Sequence, residues 1–205
     1  MYSKEEKANF LTHALGTVLA LGALVALLNI SLHDSDDLRK ISFAIYGCTI
    51  VFLFASSTLY HASRNYRVKR ILQIIDHIAI YFLIAGTYTP FLMVPLRGSW
   101  GWILLSIIWT LAISGSILKL WFTGRYQRIS TAIYLGMGWL AVVAIKPMIE
   151  SVPIASLLWL LVGGMCYTFG VYFYNKRSWQ FHHAIWHLFV LAGSACHFIS
   201  ISRYL

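Results

Sequence analysis

The chain has 205 residues, of which 59% are hydrophobic and 11% charged, and it carries a net charge of +9. Soluble domains run at about 45–50% apolar and about 25% charged residues, so this balance excludes an ordinary soluble enzyme or binding module and puts a membrane protein first. Lipid tolerates only helices and closed barrels, because every backbone polar group must be satisfied internally, and the long uninterrupted apolar runs here select helices.

A helix needs about 20 predominantly apolar residues to cross the hydrocarbon core. The first such run covers 10–32. It resembles a signal peptide only superficially: Glu5 and Glu6 precede it, the apolar stretch is too long, and no small-residue cleavage site follows, so it is read as a retained span. The second run, 41–62, ends on His61; the third, 72–95, opens with Asp76 and His77; the fourth is 100–121. The fifth, 127–146, is loosened by Gly136 and Gly138 and closed by Lys146-Pro147, so a tilted or broken span is expected. The sixth is 154–175, and the seventh, 183–203, opens on His183 and His187. The expectation is an all-α polytopic membrane protein, a single seven-transmembrane-helix domain over 1–205. Trp100, Trp102, Trp121 and Trp179 fall near span ends, where an interfacial aromatic belt belongs.

Seven spans place eleven Lys and Arg residues on the N-terminal side and five on the other. By the positive-inside rule the N-terminus is cytoplasmic and the C-terminus outside. The positive charge is thus a topology signal with some attraction to anionic headgroups, and nucleic acid is not an expected partner. Cys48, Cys166 and Cys196 lie inside predicted spans without metal-ligand spacing, which suits packing residues. The acidic stretch from Asp34 to Asp37 reads as a solvated outer loop.

Ionisable side chains inside a bilayer are costly, and each one is a functional hypothesis by default. In the N-inside topology His61 ends an inward-running helix while Asp76, His183 and His187 begin outward-running ones, so all four share a depth near the cytoplasmic face. His183 and His187 are four residues apart and stack one turn apart on one helix face. A third imidazole from His61 gives three protein ligands and an open position, the plan of a catalytic zinc site. Asp76 is the acidic residue in the inner half of the bundle and is suited to orient or deprotonate a water. The competing reading is a polar network that merely bonds helices together. His13 has the right depth but no partner at helical spacing, which suits a supporting role around the ligands. His77 points about 100° away from Asp76, and His182 fits the face of His187 less well. His197 lies about 21 Å along the helix from His183, too far to share a metal.

The same residues carry a family resemblance. The stretches are Glu5 to His13 (EEKANFLTH), Ser57 to His61 (STLYH), Asp76-His77, Ala85 to Phe91 (AGTYTPF) and His183 to His187 (HAIWH). Together they resemble the bacterial hemolysin III proteins, within the progestin and adiponectin receptor superfamily. The resemblance runs from the first helix to the seventh. It implies Zn2+ on His61, His183 and His187, Asp76 near the water, and Ser57 as a nearby polar group. Glu5, Glu6 and His13 fall in its first stretch and are placed as supporting groups. Ser57 shares a helix face with His61, which suits a hydroxyl donating to a developing oxyanion or, equally, a packing serine. A bacterial inner (plasma) membrane location follows from the same resemblance.

Animal members are receptors linked to ceramidase-type activity, but this chain has almost nothing outside its spans, so receptor function is not transferred. Three functions are expected in descending order. The first is a zinc-dependent hydrolase of a lipid amide, taking a ceramide-like substrate laterally from membrane lipids. The second is a membrane-homeostasis or signalling protein with structural zinc. The third is a pore or transporter, for which no amphipathic pore-lining series is visible.

Overall fold

The computed structural model describes residues 3–205. Among the described residues, seven helical segments are long and apolar enough to cross a membrane. They are α1 (Lys4–Ser31), α2 (Asp37–Ala62), α3 (Tyr66–Met93), α4 (Ser99–Phe122), a fifth span split into α5 (Gln127–Gly138) and α6 (Ile145–Ser151), α7 (Ile154–Asn175) and α8 (His182–Tyr204). This is an integral membrane protein of seven helical spans, as its composition requires.

Helix α1 shows how such a helix serves two solvents. Asn9, His13, Gly16, Ala20 and Leu27 form one buried stripe at helical spacing. Leu11, Leu15 and Val18 on the opposite face are exposed, at the positions lipid covers. The helix starts at Lys4, well before the apolar run, because Ser3 accepts a hydrogen bond from the Glu6 amide at 3.1 Å and caps the first turn. At the start of α3, Asn65 Oδ1 likewise accepts from the amides of Arg67 and Val68, and the helix begins at Tyr66.

Helices α1 to α4 pack in sequence, α7 packs along α8, and α8 returns to α1. Close approach depends on glycine. A Cβ on Gly86 of α3 would lie 2.1 Å from Thr49 Oγ1 of α2, and one on Gly163 of α7 would lie 3.1 Å from the Gly193 carbonyl of α8. The fifth span leans only sparsely on α3 and α7.

That fifth span is broken, and the break is built. After Gly138 the backbone tightens into a 3-10 stretch over Trp139–Ala144 before α6 resumes. The Tyr88 hydroxyl of α3 receives the Ala141 amide at 2.8 Å and stands 2.9 Å from the carbonyls of Met137 and Gly138. One phenol thus re-satisfies backbone groups that a regular helix would have paired, as irregular backbone at membrane depth demands. The span does not end at Lys146, as the Lys146-Pro147 pair suggested, but continues to Ser151. Pro147 sits in the first turn of α6, where a missing N–H costs nothing because those amides have no intrahelical acceptor.

Candidate metal centre

His61 closes α2, and His183 and His187 occupy the first two turns of α8. The bundle brings one nitrogen from each of the three within 4.8 Å of one another. Their ring centroids are 5.3 Å apart for His61 and His183, 5.1 Å for His61 and His187, and 4.4 Å for His183 and His187. His61 and His187 are buried, and His183 borders a cavity.

His61 and His187 each have one ring nitrogen beside a side chain of α1. The His187 Nδ1 lies 3.1 Å from Thr12 Oγ1 of α1. Thr12 also lies 3.0 Å from the Ala8 carbonyl and 2.9 Å from the Asn9 carbonyl, so its one proton has an acceptor there and its oxygen is free to receive Nδ1–H. That tautomer leaves the lone pair on His187 Nε2, which is buried without a partner. Glu6 Oε2 stands 3.3 Å from His61 Nδ1, while its other oxygen holds the Lys69 ammonium of α3. Both His61 nitrogens are buried without a hydrogen bond, Nδ1 meeting Glu6 at ion-pair distance only. Buried polar atoms without partners are rare in native proteins and call for an explanation. Imidazole nitrogens fixed from behind by a hydroxyl or a carboxylate are the usual form of a metal-binding histidine. The three-histidine group fits a metal ion.

The remaining sequence candidates have definite places. Glu5 Oε1 accepts the Phe181 amide at 2.9 Å and so seats the N-terminus of α8, where Phe181 has a left-handed φ of 60°. His13 lies edge-on against His187 with 3.7 Å between ring centroids, its partner coming from another helix and not from its own. Asp76 is not in the three-nitrogen group; it lines the adjoining cavity, beside Ser57 of α2 and His61. His77 is outside the three-nitrogen group, its Nδ1 donating to the Gln73 carbonyl at 2.6 Å. His197 is far along α8, its Nε2 donating to the Leu160 carbonyl at 3.3 Å. Thr12 and Lys69 were missed by sequence reasoning. Thr12 carries no ionisable group to draw notice, and Lys69 reads as one more positive-inside residue.

The cavity has a volume of about 510 Å³ and runs between α3, the fifth span, α7 and α8. Asp76, His77 and His183 border one part of it, His197 another, and walls such as Ile84, Phe91 and Leu157 are apolar. Val142 and Leu161 line it and are also 55% and 50% exposed, so the cavity reaches the lipid-facing surface between the fifth span and α7.

Comparison with known proteins agrees with this architecture. The haemolysin-III related family model matches residues 1–198. The chain is 46% identical to the Hemolysin-3 homolog of Bacillus subtilis (strain 168), covering 98% of this chain and 94% of that protein. It is 45% identical to Hemolysin-3 of Bacillus cereus, covering 99% and 93%. It is also 32% identical to the Monocyte to macrophage differentiation factor of Homo sapiens, covering 98% and 84%. A match of this extent shows that the chain belongs to the haemolysin-III related family of membrane proteins.

Proposed function

We propose that this protein is a zinc-dependent hydrolase of a lipid amide, ceramide-like in class, working near the cytoplasmic face of a bacterial inner membrane. The observation that carries the reading is the junction of three convergent imidazoles, an adjacent carboxylate and an apolar cavity open toward lipid. His61, His183 and His187 would hold the metal, and an all-imidazole set suits zinc among the common ions. Zinc, when bound, polarises a carbonyl and makes water acidic enough to attack at neutral pH.

The chain's own residues supply the rest. The apolar walls take up an acyl chain and exclude bulk water, so the amide is brought to the histidine end of the cavity. Asp76 accepts the proton of the attacking water and later delivers it to the departing amine nitrogen, a role that general acid–base geometry allows a single carboxylate to fill twice. Ser57 holds the Asp76 carboxylate or donates to the oxyanion as the carbonyl carbon becomes tetrahedral. Glu6 and Thr12 keep His61 and His187 in the tautomer that offers Nε2.

Elemental mass spectrometry on protein purified in detergent without affinity-tag histidines tests the metal, and release of amine from a lipid amide tests the reaction. One zinc per chain, lost on His61→Ala, His183→Ala or His187→Ala, together with amide hydrolysis, is expected. Absence of metal from the wild type would sink the reading. Zinc without turnover of any lipid amide would make the centre a structural clamp between α2 and α8.

A further inference from the structure

Lys119 is buried with 4% of its surface exposed, although it lies in the last turn of α4 and has a stem long enough to reach the headgroups. Its ammonium instead turns inward and borders the same cavity as Asp76 and His183. It donates to Ser130 Oγ of α5 at 2.6 Å and lies 5.6 Å from the ring of Tyr134. An ammonium has three protons to donate, and one is accounted for by Ser130. Among the described residues it makes no ion pair with any carboxylate; the paired cations at this end include Lys69, held by Glu6. A buried charge without a counter-charge is expensive, and an ionisable residue kept inside a membrane bundle marks a functional site by default.

The neighbourhood connects Lys119 to the metal centre. Tyr134, which faces the ammonium, donates its hydroxyl to the His77 carbonyl at 3.1 Å, and His77 adjoins Asp76. Arg177 also borders the cavity. A long apolar channel with a buried, carboxylate-free ammonium near one end is the shape of a receptor for an amphiphile whose head carries negative charge.

We propose that Lys119 is the anion-binding group of the cavity and that the ligand it selects is a single-headed anionic amphiphile, a carboxylate or phosphate on a long alkyl chain. The anion takes the free protons of Lys119 while the chain occupies the apolar walls. This goes beyond the hydrolytic reading and does not require it, because it concerns binding and not turnover.

The test is equilibrium binding of radiolabelled octadecanoate and octadecanol to the full-length protein in a non-ionic detergent. Wild type is expected to hold the carboxylate at least about tenfold more tightly than the alcohol, the worth of one charge-assisted hydrogen bond. Lys119→Met is expected to remove that preference and leave alcohol binding unchanged; Lys119→Arg is expected to keep it. Inorganic phosphate at the same concentration is expected not to displace the carboxylate, since it lacks the chain, and full displacement would overturn the lipid assignment. Equal binding of the two probes by wild type would overturn the proposal, as would a preference that survives Lys119→Met. If chelation of the metal abolishes the preference while Lys119→Met does not, the anion is held at the metal centre and the proposal fails with the metal reading intact. If instead the Lys119-dependent preference persists in protein that holds no zinc and hydrolyses nothing, the hydrolytic reading fails and this one stands. Thermal unfolding of both variants shows that the fold is retained.

Discussion

The Glu6 carboxylate lies 3.3 Å from Nδ1 of His61 although 55 positions separate them in the chain, and its second oxygen engages Lys69. One side chain in the first turn of α1 thereby joins the end of α2 and the start of α3. Its neighbour Glu5 seats α8 through the Phe181 amide. The N-terminal turn of α1 is a clasp that holds the histidine-bearing ends of two other helices in place.

Glu6→Gln keeps the size of the side chain but removes the charge that orients His61. Zinc affinity measured by chelator competition is expected to fall by about 10–100-fold, the usual effect of losing a group that supports a metal ligand. Unchanged affinity would remove Glu6 from the centre.

Thr12→Val preserves shape and takes away the acceptor for His187 Nδ1–H. A loss of zinc affinity in the same range is expected. Thr12→Ser, which restores the hydroxyl, is expected to recover most of it. Unchanged affinity in Thr12→Val with a loss in Thr12→Ser would assign Thr12 to packing alone.

Asp76→Asn is expected to retain its zinc while lowering lipid-amide hydrolysis by about 10²–10⁴-fold, the range for removal of a general acid–base group. Loss of the metal in this variant would instead make Asp76 a ligand. Amine release and metal content on the same preparation separate the two outcomes.

Gly86→Ala places a Cβ 2.1 Å from Thr49 Oγ1 and 2.9 Å from Thr49 Cβ, a contact that neither helix can relieve without moving. A destabilisation of about 1–3 kcal/mol is expected, read as a lower unfolding temperature in detergent. Gly22→Ala, where nothing lies within 4 Å, is the control and is expected to be neutral or slightly stabilising.

Ser178→Cys in the α7–α8 loop and His33→Cys between α1 and α2 test orientation. With Cys48, Cys166 and Cys196 replaced, a membrane-impermeant maleimide applied to intact cells is expected to label position 33 and spare 178. The reverse pattern would invert the topology that the Lys and Arg count assigns.

Much of this protein was decided by its sequence. The length and hydropathy of the apolar runs require seven spans, because lipid leaves a backbone nothing else to form than helices or barrels. The cost of ionisable groups in a bilayer singled out His61, Asp76, His183 and His187, and helical spacing alone placed His183 and His187 on one face. Even the weakness of the fifth span was legible in Gly136 and Gly138, although Pro147 misled about its end, since a proline's effect depends on where the helix begins. The tertiary structure decided what depends on contact between distant segments. Only packing shows that the three imidazoles meet within 4.8 Å, that His13 leans on His187, and that Thr12 and Glu6 stand beside His187 and His61. Periodicity along one helix reports which face is turned inward, whereas the identity of the opposing side chain is set by the crossing of two helices, and no spacing within one segment records it.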